Sequence, residues 1–258
     1  MHMRLLSLVL APVFGVLTAC GGHTDLAHPT GHDDVVVRVE SGAGMGTRES
    51  FFSDVPDLVL TGDGTTYVAM QETEMSGIVS PVVRFTAPDG ALDSLLERAN
   101  HDHLLGDPPD YSSSGEVSDG GDTRVTLSTN QGTWAHTANA LDAGASSRST
   151  ARARLADFVG YATRWSQQVH MDHSVRDYAP VLRVMATPLP ETDDPKVDVA
   201  TWPVAAEVDL ADLGNCSVVD DATVVRSLTT RRERAYRQGG ATYSVAAAVL
   251  LPGESCPS

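Results

Sequence analysis

The chain has 258 residues with 18 basic against 34 acidic side chains, a net charge of −16. An acidic surface of this kind repels phosphate backbones, so nucleic acid is excluded as a partner. Aromatic residues make up 5% of the chain, too few for an obvious carbohydrate platform, and all basic residues but Lys196 are arginine.

The first element is a leader. Arg4 precedes an apolar run from Leu5 to Leu17, and Leu17-Thr18-Ala19-Cys20 follows. A basic end, an apolar stretch of roughly 7 to 15 residues and small residues at the cut define a secretory signal. A cysteine just past that cut is the signature of a bacterial lipoprotein, with Cys20 the mature amino terminus. Residues 1–19 therefore read as a signal peptide and Cys20 as the lipidation site. Two acyl chains such as palmitate on Cys20 make a stable anchor. The stretch is shorter than the roughly 20 apolar residues of a spanning helix. The expected location is the extracytoplasmic face of the cell membrane.

Residues 20–34, rich in Gly, His, Thr, Pro and Asp, offer almost nothing to bury and read as a flexible tether. Order begins at Val35, where Val35, Val37 and Val39 alternate with polar residues as in a half-buried strand. Leu58–Leu60 and Tyr67–Met70 flank Gly62-Asp63-Gly64, a hairpin signal. Val82–Phe85 is a further strand. Thr86-Ala87-Pro88-Asp89 supplies a helix start resembling a capping box, and Leu92, Leu95, Leu96 and Ala99 mark one helix face, with Gly106 at its stop.

A second hairpin is expected from Arg124–Ser128 and Thr133–Ala140 around Asn130-Gln131-Gly132. Leu155, Phe158, Val159, Ala162, Trp165 and Val169 make an apolar stripe long enough to cross a sheet. Val181–Ala186 reads as a strand, residues 188–198 as an acidic loop, and Thr223 to about Tyr236 as a short helix. Tyr243–Leu251 is apolar almost throughout, the pattern of a strand buried on both faces. Together these elements predict an α+β fold, a mostly antiparallel sheet with two or three packed helices, in a single domain over residues 35–258.

Val35–Glu40, Gly42-Ala43-Gly44, Pro56-Asp57-Leu58, Leu60-Thr61-Gly62-Asp63-Gly64 and Leu250-Leu251-Pro252-Gly253-Glu254 occur in that order. This arrangement resembles a group of uncharacterised lipoproteins of actinobacteria. The resemblance covers most of the mature chain and implies a location and a shared fold, with no catalytic residues to carry over.

With Cys20 assigned to lipid, Cys216 and Cys256 remain, an even pair suited to one disulfide in an oxidising compartment. A redox-active pair would call for the close Cys-x-x-Cys spacing. The chemical motifs are sparse. Gly42, Gly44 and Gly46 lack the spacing of a dinucleotide loop, and G-x-S-x-G, Ser-x-x-Lys and H-E-x-x-H do not occur. His101/His103 and His170/His173 pair imidazoles at short range, with His23, His28 and His32 in the tether, but neither pair brings a third ligand. No metal site and no cofactor are expected in the folded body. His101 and the second pair suit exposed helix ends, His103 would complete its helix's apolar stripe, and His136 is expected to pack within its strand.

Arg231, Arg232, Arg234 and Arg237 form the one basic cluster in an acidic chain, candidates for contact with an anion. The leading expectation is a non-catalytic binding or accessory module of the envelope, partnered by the membrane through Cys20 and by an unidentified envelope ligand. A hydrolase or transferase acting on cell wall or lipid comes second, and a metal carrier third.

Overall fold

A computed structural model describes residues 26–42, 44–70, 77–112, 120–141, 150–172, 180–190 and 198–256, apart from the side chains of 170–172. Cys20, His23, Lys196 and His173 lie outside the described residues, so the leader and the lipidation site are not addressed by it. No helix among the described residues is long and apolar enough to cross a membrane.

The fold is α+β, with eleven strands and five helices among the described residues. The strands form two sheets where the sequence suggested one. The first is antiparallel throughout, in the order β4 (Val82–Thr86), β3 (Thr65–Ala69), β2 (Leu58–Thr61), β1 (Val35–Ser41), β5 (Asp122–Thr129), β6 (Gly132–Asn139). The second runs β8 (Val199–Thr201), β10 (Ala235–Gln238), β11 (Ala241–Val249), β7 (Leu182–Pro188), β9 (Ser217–Val219), and only β8 and β10 are parallel.

One face of the first sheet carries Val37, Val39, Leu58, Leu60, Val125 and Leu127. Against it pack α2 (Ala91–His101) and α3 (Thr150–Asp172) through Leu92, Leu95, Leu96, Ala99, Leu155, Phe158 and Ala162, the stripes read from the sequence. The opposite face is divided. Around β2 and β3, Val59 and Tyr67 join Leu182, Val184, Val245, Ala247 and Val249 of the second sheet in another core. Around β1 and β5 the outward positions are Arg38, Glu40, Asp122, Arg124 and Thr126, and no core covers them. Strand alternation sets this division, because burying Val37 and Val39 of β1 turns Arg38 and Glu40 outward.

In β11, Val245–Val249 are buried on both faces as its composition implied. Ala246 and Ala248 face away from the second core, and the short helix α1 (Arg48–Ser53) packs on this strand. Two further short elements, α4 (Leu210–Leu213) and β9, lack the length that makes periodicity readable. The expected helix from Thr223 to Tyr236 is two elements: α5 (Ala222–Thr230) and then β10. Asp221 caps α5 by accepting hydrogen bonds from the Thr223 and Val224 amides. Tyr236 is buried in the second core, packed edge-on against Trp202, which a helical register would not have allowed.

Both ends of α2 differ from the sequence reading. Its N-cap is Gly90 at φ 76°, with no side-chain cap. At its C-terminus His103 takes φ 59° while its amide bonds Asn100 O and the Leu104 amide bonds Ala99 O, a Schellman ending with histidine in the left-handed position. Leu104, not His103, is therefore the buried residue.

Residues 26–34, read from composition as tether, lie along the body. Leu26 packs on the first core, the Asn130 amide donates to Ala27 O, and the Gly62 amide donates to Asp34 O. A Cβ at Gly62 would run into the Pro29 carbonyl, so this turn needs glycine for the crossing chain. Backbone hydrogen bonds of this kind are invisible to composition.

Candidate functional site

The uncovered charged part of the first sheet forms one wall of a cleft of about 340 Å³, whose other wall comes from β7, α1 and the C-terminal loop. Five chain segments deliver its charges, one of them the end of α1 with Asp54. Arg38 and Glu40 come from β1, Asp122 and Arg124 from β5, Arg183 from β7, and Glu254 from the loop after β11. Phe51 of α1, exposed, stands at the rim.

Glu254 is placed by local turn chemistry. Pro252 and Gly253, the latter at φ 78°, occupy the middle of a turn closed by a hydrogen bond from the Glu254 amide to Leu251 O, the type II arrangement that needs glycine third. The turn brings Glu254 Oε2 to the Leu251 amide at 2.9 Å and Oε1 to Arg38 Nη2 at 2.6 Å. Two residues further on, Cys256 is bonded to Cys216, with the Cα atoms 5.5 Å apart. The paired cysteines thus tie the end of the chain, and with it Glu254, to the segment before β9.

Arg38 is paired with two carboxylates, because its Nε also donates to Glu40 Oε1 at 2.8 Å. Arg183 donates Nη2 to Asp54 O at 2.6 Å, lies 3.7 Å from Glu254, and stacks on the Phe52 ring. Its Nε is buried with no acceptor among the described residues. Arg124 is exposed and makes no ion pair or hydrogen bond among the described residues. At the cleft's edge, burial holds the Asp57 carboxyl above its usual range, opposed by a hydrogen bond with Ser41 and reinforced by the charge of Glu40.

The residues singled out in the sequence fall elsewhere. Arg231 is the C-cap of α5, Arg232 and Arg234 lie in the link to β10, and Arg237 is on β10, all exposed and none lining the cleft. The basic run is therefore not the last turn of a helix. His101 is exposed, with Nδ1 3.1 Å from Asp102, and His103 is exposed at the helix ending. His28 comes within 4.0 Å of Asp93, and His32 within 3.0 Å of Asp33. Among the described residues no three His, Cys, Asp or Glu side chains converge as metal ligands.

His136 is wholly buried on β6, the packed strand residue expected. Its Nε2 donates to Leu104 O at 2.7 Å, which leaves Nδ1 to accept from Tyr111 OH at 2.7 Å. Burial lowers its pKa, against the hydrogen bond to Leu104, and pushes the Tyr111 hydroxyl up to about 12. Arg152, in the first turn of α3, donates to the carbonyls of Tyr111, Asn139 and Ala140. This knot fastens a loop to the first core; Tyr111 and Leu104 also line a smaller pocket of about 250 Å³ with Asp102, His103 and Arg154, while His136 and Arg152 do not reach it.

The sequence reading missed Arg38, Arg124, Arg183 and Glu254 as a group. One clue existed: Arg38 and Glu40 within Val35–Glu40, with Gly42, Pro56 and Gly253-Glu254, all from segments quoted above for a resemblance, meet at or beside this cleft. No protein-family profile matches the chain, and no curated protein or solved structure is similar to it.

Proposed function

We propose that this chain is a lipid-anchored protein of the cell envelope, held to the membrane through Cys20, and that it acts as a non-catalytic binding module whose ligand enters the cleft between the two sheets. The observation that carries the binding part is the incomplete pairing of the cleft's charges: among the described residues Arg124 is unengaged beside Glu40 and Asp122, while Arg38 and Glu254 are held by each other. Polar groups convergent in a concave site are the usual mark of a ligand pocket. The Leu-Thr-Ala-Cys leader and the resemblance to actinobacterial lipoproteins support the location.

Two experiments test the two halves. Replacing Cys20→Ser should shift the protein out of the membrane fraction or leave its leader uncut; unchanged detergent partitioning would defeat the anchor. Full-length protein incubated with small molecules extracted from the producing envelope and then re-isolated should retain a compound that Arg124→Glu does not. If both retain the same compounds, or neither retains any, the cleft is not the binding site. A hydrolase is the second reading, favoured by the raised Asp57 carboxyl beside Ser41. Among the described residues no histidine lines the cleft to serve that serine as a base.

A further inference from the structure

Resting on the binding reading above, we propose that the cleft recognises a zwitterion: the free amino and carboxyl ends of a peptide about two residues long. Three observations lead there. The first is which charges are free. Arg38 is closed by Glu40 and Glu254, and Arg183 is held by Asp54 O and Glu254, whereas Arg124 has no partner among the described residues. Two residues along the same strand, Asp122 uses Oδ1 to accept from Asn139 Nδ2 at 3.1 Å, and its other oxygen has no partner there. One cationic fork and one carboxylate oxygen thus stand ready on one face of β5.

The second is spacing. Residues i and i+2 of a strand project to the same side about 6.6 Å apart. An extended dipeptide spans about 7 Å from end to end, whereas the charged groups of a single amino acid are closer. A carboxylate in the Arg124 fork would leave the ammonium of such a peptide at Asp122. Thr137, directly across from Arg124 on β6, offers a hydroxyl beside the carboxylate end, and Phe51 at the rim offers an apolar surface for a side chain.

The third is charge balance. Arg38, Arg124 and Arg183 share the lining with Glu40, Asp54, Asp122 and Glu254, in a chain of net charge −16. Phosphate or a polyanionic wall polymer would meet the carboxylates as well as the arginines, so a ligand of balanced charge is favoured over a dianion.

The test is calorimetric titration of the full-length protein in detergent with alanyl-alanine, its N-acetyl form, its C-terminal amide and inorganic phosphate. The free dipeptide should bind, and blocking either end should weaken it about tenfold, the value of a lost charge-assisted hydrogen bond. Arg124→Gln should weaken the free and N-acetyl forms and spare the amide; Arg124→Lys should restore most of that loss. Asp122→Asn should weaken the free and amide forms and spare the N-acetyl form. Thermal melts of the variants check that each is folded, and both side chains are exposed. Binding of phosphate or of a blocked form as tight as that of the free dipeptide would overturn the zwitterion while leaving the cleft as a binding site. If none of the four binds, the zwitterion also falls, and retention from the envelope extract then decides the cleft by itself.

Discussion

The Tyr111–His136–Arg152 knot and the Arg38–Glu254–Arg183–Arg124 cleft are built from similar side chains and behave oppositely. In the knot, both ring nitrogens of His136 are engaged, and Arg152 reaches three carbonyls from a position 3% exposed. In the cleft, one arginine is closed by two carboxylates, a second keeps a buried Nε without an acceptor, and a third has no partner among the described residues. A buried polar group left unpaired costs about 1–3 kcal/mol, so a fold seals such groups where only structure is at stake. Charges left open beside a cavity are where recognition has room to act.

The largest effect should come from the disulfide, which ties the cleft's C-terminal loop to the segment before β9. Replacing Cys216→Ser and Cys256→Ser together should cost about 4 kcal/mol for a loop of this length, measured by urea unfolding. Hydrogen exchange should quicken at the Leu251 and Glu254 amides and stay slow at the Leu104 amide beside the knot. Equal loosening at both would mean that the two regions are one cooperative unit.

Next in size is the contrast between two arginines. Arg152→Ala strands three carbonyl groups and should destabilise the fold by about 3 kcal/mol, whereas exposed Arg124→Ala should stay within about 0.5 kcal/mol. Similar losses for the two in denaturant titrations would erase the distinction drawn here.

The smallest effect is a pH slope from His136. Burial depresses its folded pKa, so the unfolded chain binds the extra proton first as pH falls below the ordinary value of 6.5. Stability therefore falls with pH from there toward the lower folded value, by at most about 1.4 kcal/mol per pH unit. His136→Gln, able to accept from Tyr111 and donate to Leu104, should flatten this slope in melts between pH 7 and pH 5. An unchanged slope would assign the acid sensitivity to other groups.

Periodicity exposed much of the fold. The stripe Leu92-Leu95-Leu96-Ala99, the long stripe from Leu155, both hairpins and the apolar strand before Leu250 lie where their patterns put them. The disulfide was legible by elimination. The three-residue strand β8 escaped because a period cannot be read over so short a run, and the α5 to β10 change escaped because Arg231–Arg234 suits a helix end as well as a link. The cleft was illegible for a different reason. Arg38 and Arg124 look like ordinary solvent-facing strand residues, and only the pairing of β1 with β5 and the return of the chain past β11 bring them near Arg183 and Glu254.

The Cys216–Cys256 bond also sets a clock. Glu254 reaches Arg38 from a turn only two residues before Cys256, so a newly made chain with both thiols reduced would hold that wall on a free end. On the export proposed above, the chain would cross the membrane reduced and meet an oxidant outside, so that the cleft would take its final form only there.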